Sequence, residues 1–470
     1  MANSLKFGTS GLRGLSSELL GPEARRYAAA FLAHLAKGGN RYTRLFLARD
    51  LRDSSAAIVA DCAAAARQAG LIPVDCGVLP TPALALHAMA RGFPAIMVTG
   101  SHIPADRNGL KFYTPAGEIT KADEAGILAA LPEQAPDGVK GEIEDGFPAA
   151  GDRYRQRYRR FLAPDALDGW TIGVFEHSSV ARDHLCSLLY RAGAEVVRLG
   201  RSETFVPVDT EAFADDIYAP RHEWIAKHGL DAIVSTDGDG DRPLVIDASG
   251  EFVRGDVLGL LTAQYLRANA VVTPVTSNSA IEALGAFKLV IRTRVGSPHV
   301  ITGMQEARRD AGIVVGFEAN GGTLLGGRAK VRGEDLLPLP TRDAILPILA
   351  ALASAAEVGV PLAELVGRLP VQPALSDRLT DVPMEASATF VSRLADDAEF
   401  AARFLAEAGT VASLSTVDGP RFKLSSGDII HYRPSGNAPE LRCYVEGTTP
   451  ERAAELLKWG LAAAERAVRG

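Results

Sequence analysis

Ser235-Thr-Asp-Gly-Asp-Gly-Asp-Arg242 sets three carboxylates, Asp237, Asp239 and Asp241, two residues apart with glycines between them and an arginine at the end. Two short apolar runs flank the octapeptide, Asp231-Ala-Ile-Val-Ser before it and Pro243-Leu-Val-Ile-Asp247 after it. Both read as buried strands, so the acidic stretch is a loop on the edge of a sheet. Like charges packed this closely repel, and the cost rises if they leave water. The loop is therefore either a solvated acidic turn or a site for a hard cation with oxygen ligands. An EF-hand fits poorly, because its glycine and glutamate positions fall on Arg242 and Ala248. A metal loop beside an arginine able to hold an anion suggests magnesium handling phosphate.

Four further segments carry chemistry. In Ala95-Ile-Met-Val-Thr-Gly-Ser-His-Ile-Pro104 the apolar run Ala95–Val98 reads as a buried strand, and Ser101 and His102 follow in a Gly-flanked loop that is either an ordinary polar loop or the place where open α/β sheets hold ligands. Lys111 follows in the strand-like run Gly109–Tyr113. Arg433-Pro-Ser-Gly-Asn-Ala-Pro-Glu-Leu-Arg442 brackets Ser435, Gly436 and Asn437 with two arginines, the parts of a phosphate cradle or of an ordinary hairpin turn. Gly316-Phe-Glu-Ala-Asn-Gly-Gly322 is either a common glycine-rich loop with one carboxylate or a site where Glu318 and Asn320 accept from and donate to vicinal hydroxyls of a sugar. Phe7-Gly-Thr-Ser-Gly-Leu-Arg-Gly14 is glycine-rich but matches no dinucleotide fingerprint; no P-loop and no G-x-S-x-G elbow occurs anywhere in the chain.

In this order and spacing, from Phe7 to about Val445, the five segments resemble the α-D-phosphohexomutases, which interconvert 6-phospho- and 1-phosphosugars. The resemblance implies a phosphoserine at Ser101 and Mg²⁺ on Asp237, Asp239 and Asp241, with a phosphoseryl oxygen of Ser101 as a further ligand. It implies that the loop at Glu318 reads the sugar hydroxyls and that Arg433–Arg442 grips the non-transferring phosphate. Arg13, His102, Lys111 and Arg242 then flank the reacting phosphoryl group. A sugar 1,6-bisphosphate is the expected intermediate and activator. The implied fold is α/β in four domains, three alike with mixed sheets and a smaller C-terminal α+β domain. Their expected limits are 1–148, 149–250, 251–370 and 371–470.

The chain departs from the family pattern in places. Ile103 stands where the family has Asn. Asn320 and Gly322 replace a Ser and a His in the sugar loop, which leaves His299 and His102 as the histidine candidates. Asn437-Ala438 replaces Thr-Glu in the phosphate loop. The combination is most similar to the bacterial phosphomannomutase branch. Phosphoglucomutase and phosphoglucosamine mutase are the alternatives within the family. A non-catalytic sugar-phosphate binder and a metal-dependent phosphatase are the alternatives outside it.

Composition agrees with a cytosolic enzyme. The chain has 470 residues, 47% hydrophobic and 23% charged, with 50 basic against 57 acidic side chains and a net charge of −7. That sign argues against nucleic acid as a partner. The four cysteines, Cys62, Cys76, Cys186 and Cys443, are scattered, as in a reducing, cytoplasmic compartment. The N-terminus lacks the apolar core of a signal peptide. Uncharged stretches such as Ala344–Ala356 are shorter than the ~18 residues of a membrane helix. The expected partners are small sugar phosphates, and the expected assembly is a monomer or dimer. Helices expected at Gly21–Lys37, Ser55–Ala69, Ala181–Ala192 and Pro450–Arg469 alternate with short apolar strands, an α/β pattern. Pro132–Gly151, Asp247–Asp256 and Leu369–Asp377 read as linkers.

Overall fold

The computed structural model describes residues 4–8, 10–39, 41–211, 216–309, 312–435 and 439–469. The chain forms two compact units, Met1–Val271 with Gly296–Val366, and Val272–Val295 with Gly367–Gly470.

The first unit opens with a mixed sheet. Its strands run in the order Lys6–Phe7, Leu12–Leu15, Arg107–Thr114, Ala95–Val98, Arg44–Arg49, Ile72–Val78, Glu144–Asp145, with Gly117–Glu118 beside Arg107–Thr114. The central strands are parallel and joined through helices, and the edge toward Leu12–Leu15 is antiparallel. Arg13 pairs with Gly109 across that edge. Arg13 and Lys111 therefore point to the same face, diagonal to each other. The alanine-rich helices Pro22–Lys37 and Ser55–Gln68 pack closely together over one core.

A second mixed sheet orders Glu195–Leu199, Thr171–Phe175, Ala232–Thr236 and Pro243–Asp247. The first three are parallel, and the last returns antiparallel with Pro243 opposite Thr236. The acidic octapeptide is thus the turn of a hairpin whose strands are buried on both faces. Further along, Val314–Phe317, Thr323–Leu325 and Leu339–Asp343 pair antiparallel in that order. Glu318–Gly322 forms the first turn, and Asp343 lies opposite Thr323. The uncharged stretch Ala344–Ala356 falls in the largely buried helix Ile345–Val358, packed on Gly255–Tyr265.

The second unit is built on an antiparallel sheet ordered Ala374–Leu379, Leu441–Glu446, Ile429–Pro434, Arg421–Leu424, Val411–Ser415. Helices Met384–Asp396, Ala398–Phe404 and Pro450–Arg469 enclose a core that contains Phe390, Phe422, Leu441 and Tyr432.

Expected elements reappear within a residue or two of their limits. The stretches read as linkers are less irregular than their composition suggests. Helix Phe147–Tyr158 begins inside the first, with Pro148 in its opening turn where a missing N–H costs nothing. Helix Gly255–Tyr265 begins at the end of the second, and strand Ala374–Leu379 starts inside the third. Among the described residues, no helix is long and apolar enough to cross a membrane.

Candidate active site

Ser101 follows strand Ala95–Val98 in a loop that turns left-handed at the serine itself, φ 55°. A non-glycine residue holds that conformation only where its surroundings dictate it. Arg52 supplies much of that constraint. Its guanidinium donates to the carbonyl oxygens of Ser101 (3.0 Å), Ile103 (2.5 Å), Pro104 (2.6 Å) and Arg107 (2.8 Å). Its Nε donates to Asp50 (3.2 Å), which also accepts from Ser55 and Thr99. Gly100 is required here, because a Cβ would stand 2.6 Å from Arg52 Cζ. The Phe205 ring centre lies 3.8 Å from the same guanidinium. Arg52 and Asp50 escaped the sequence reading, since nothing in Arg49-Asp-Leu-Arg52 marks them apart from other charged turns.

Ser101 Oγ donates to Asp237 Oδ2 at 2.5 Å, which joins the serine loop to the acidic loop. The three carboxylates converge: one oxygen from each of Asp237, Asp239 and Asp241 lies within 4.8 Å of the others, and all three residues are buried. Lys111 Nζ lies 2.6 Å from both Asp239 Oδ2 and Asp241 Oδ2. Thr81 donates to Asp239 through its hydroxyl and through its backbone N–H. Burial, then Asp239 and Asp241, push the Asp237 carboxyl well above the usual carboxylate range. Burial acts on Asp241 in the same direction, but Arg342, Lys111 and Arg242 outweigh it and hold that carboxyl low. Asp239 Oδ1 and Asp241 Oδ1 are buried with no hydrogen-bond partner among the described residues. Unpaired buried carboxylate oxygens are costly, and a divalent cation with oxygen ligands would satisfy them, so these residues fit Mg²⁺.

The cations around Ser101 are crowded. Burial and the neighbouring Arg242 and Arg342 depress Arg13 to about 10. Arg242 faces Glu211 at 3.7 Å and Asp241 at 3.9 Å. One terminal nitrogen of Arg13 and the Nε of Arg242 are buried without a hydrogen-bond partner among the described residues. Spare N–H donors on converging guanidiniums suit a phosphoryl group. His102 Nδ1 lies 3.4 Å from Ser101 Oγ. Burial, Arg242 and Arg13 lower its pKa to about 2, so the ring is neutral.

Glu318 is buried, and its Oε2 accepts from Arg342 at 2.8 Å. The Asn320 side chain accepts from Gly322 N at 3.0 Å and so braces the turn. His299 lies half-buried in the first turn of helix Ser297–Ala307. Arg342 is a site residue that the sequence reading missed. It is 1% exposed and also donates to Asp241 Oδ2 at 2.7 Å and Ser10 Oγ at 2.9 Å.

In the second unit, Arg433 and Arg442 stand directly opposite each other on adjacent strands. Asp418 holds Arg433 at 2.9 Å, and Glu440 holds Arg442 at 3.4 Å. Ser435 N donates to Glu440 O at 2.9 Å and closes the start of the turn. Gly436 and Asn437 lie outside the described residues.

Comparisons with known proteins agree with this arrangement. Models of the phosphoglucomutase/phosphomannomutase alpha/beta/alpha domain I, alpha/beta/alpha domain III and C-terminal domain match residues 4–136, 254–372 and 380–458. A phosphomannomutase of Sinorhizobium fredii (strain NBRC 101917 / NGR234) is 49% identical over 467 residues, covering 97% of this chain and 98% of the relative. A phosphomannomutase of Salmonella muenchen is 42% identical over 457 residues, covering 97% and 95%. A crystal structure of a phosphoglucomutase/phosphomannomutase family protein from Burkholderia thailandensis shares the fold, with a TM-score of 0.77 at 22% identity and 98% of each chain covered. A serine bonded into a buried carboxylate triad, on a chain matched along nearly its whole length, places this protein in the phosphoglucomutase/phosphomannomutase family.

Proposed function

We propose that this enzyme, an isomerase of the intramolecular phosphotransferase class, interconverts mannose 6-phosphate and mannose 1-phosphate. The observation that carries the chemistry is the Ser101 hydroxyl bonded at 2.5 Å into the Asp237–Asp239–Asp241 cluster. The choice of mannose is supported by the two phosphomannomutases that match along the full chain.

Ser101, carried as a phosphoserine, gives its phosphoryl group to the free hydroxyl of the bound sugar phosphate. The Ser101 oxygen is the leaving group and takes up the proton that the sugar hydroxyl loses, so a 1,6-bisphosphosugar forms beside a free serine hydroxyl. The bisphosphate turns over and returns its other phosphoryl group to Ser101. Arg13, Lys111 and Arg242 hold the moving phosphoryl oxygens, and neutral His102 accepts a hydrogen bond from the reacting hydroxyl. Asp237, Asp239, Asp241 and the Ser101 oxygen would hold Mg²⁺, which supplies positive charge against the donor phosphoryl group. Glu318 and Asn320 take sugar hydroxyls. Arg433, Ser435, Gly436, Asn437 and Arg442 hold the non-transferring phosphate, and His299 takes a place among the substrate contacts. The reading includes four domains with limits near 148, 250 and 370, a cytoplasmic location and activation by a sugar 1,6-bisphosphate.

Initial rates on mannose, glucose and glucosamine phosphates, with and without glucose 1,6-bisphosphate, test this. Mannose phosphates should be converted in both directions, with activation by the bisphosphate. Glucose phosphates should follow within about two orders of magnitude, because the two sugars share O3 and O4. Faster conversion of glucosamine phosphate would overturn the mannose assignment, and no conversion of any sugar would overturn the mutase.

A further inference from the structure

Arg342 is the last residue but one of strand Leu339–Asp343, and its guanidinium spans three loops. One terminal nitrogen donates to Glu318 Oε2 at 2.8 Å; the other donates to Asp241 Oδ2 at 2.7 Å and Ser10 Oγ at 2.9 Å. Its own Nε is buried without a partner among the described residues, so the group is fixed by its ends and not by a full shell. The sugar-loop turn is shaped around it. A Cβ at Gly322 would stand 2.8 Å from Arg342 Cδ and 3.0 Å from Arg342 Cγ and Asp241 O. A side chain at 322 and the arginine at 342 are mutually exclusive. This chain has given that space to a cation entering from the neighbouring strand.

We propose that Arg342 is a positioning residue that couples sugar recognition to the metal loop. By holding Glu318 it fixes the one carboxylate of the sugar turn. By occupying Asp241 Oδ2 it leaves Oδ1 as the oxygen open to a cation and lowers the negative charge that the cation meets. The inference rests on the functional reading above, but its two effects separate from it. Loss of the guanidinium should weaken sugar recognition and strengthen magnesium binding, because the triad loses a competing positive charge. A merely structural role would weaken both together.

Mg²⁺ binding to the purified full-length protein, followed by titration calorimetry at pH 8, gives the first readout, and mutase kinetics give the second. Arg342→Gln should bind Mg²⁺ about three- to tenfold more tightly and lose about 10²-fold in kcat/KM for mannose phosphate. Arg342→Lys keeps the charge but cannot fork between partners. It should restore wild-type magnesium affinity while kcat/KM stays at least about tenfold down. Where Arg342→Gln fails to unfold cooperatively, Gly322→Ala serves instead. It displaces the arginine stem and should move both readouts in the directions expected of Arg342→Gln. Unchanged magnesium affinity, or a parallel loss of both readouts, overturns the coupling. A wild-type protein inactive on every sugar phosphate would sink the mutase reading, and the magnesium titration would still decide the role of Arg342.

Discussion

Ser101 owes its position to groups far from it in sequence. Its left-handed backbone is braced by Arg52 and its oxygen is drawn toward Asp237. Ser101→Ala keeps that backbone and removes the hydroxyl proposed above to carry the phosphoryl group. Turnover should fall by about 10³-fold or more while the thermal unfolding midpoint stays within a few degrees. Peptide mass spectrometry of active wild-type protein should find phosphate on Ser101, and an active alanine variant would exclude the phosphoenzyme. Arg52→Lys should act through geometry. An ammonium cannot reach four carbonyls and Asp50 together, so kcat should drop by about 10²-fold with KM changed far less. An equal effect on both would mean that Arg52 binds substrate. At this scale the legible residues were those whose chemistry lies in a local spacing, namely Asp237, Asp239, Asp241 and Ser101. Arg342 and Arg52 were not legible. Each acts across loops that meet only in the fold, such as Arg342 with Ser10 and Asp241, and no short-range pattern announces it.

Hairpins carry most of the chemistry at the scale of elements, and hairpin strands were easy to read. The apolar runs beside the acidic loop became Ala232–Thr236 and Pro243–Asp247 because both are buried on either face and needed no alternation. Register was not readable. It is register that sets Arg433 opposite Arg442, a pairing of like charges that destabilises a sheet unless something compensates. Asp418 and Glu440 compensate in part, and an anion between the guanidiniums would complete the balance. Arg433→Ala should therefore cost substrate binding and not stability. We expect kcat/KM to fall by about 10²-fold in both directions, mostly through KM. The unfolding midpoint should hold steady or rise slightly. Intact kcat/KM would make Arg433–Arg442 an ordinary turn.

At the scale of the whole molecule, four histidines are buried among the described residues, and they set how it answers acid. His87, His177 and His184 belong to the first unit and His431 to the second. Burial leads in lowering each to about 4, helped by Arg153 and Arg91 at His87, Arg182 at His177, Arg155 at His184, and Arg421 at His431. Each keeps a buried Nδ1 with no partner among the described residues, so a proton there would gain no acceptor. In the unfolded chain these rings titrate near 6.5. Between pH 6.5 and 4 the unfolded state therefore binds more protons than the folded state, and the stability contributed by each neutral ring is lost as pH falls through that window. Asp50, Glu211, Asp237 and Asp343 work the other way, since burial pushes their carboxyls up and the folded state takes protons first. The slope of the whole protein is a difference between these sets, so the readout belongs to single variants. His184→Gln and His431→Gln, one in each unit, should each flatten the fall of the unfolding midpoint between pH 6.5 and 4.5, by an amount on the order of 1–3 kcal/mol at the acid end. Calorimetry of the chelated protein at half-unit steps would measure it. If neither glutamine variant changed the slope, the buried rings would not be the groups that take up the protons.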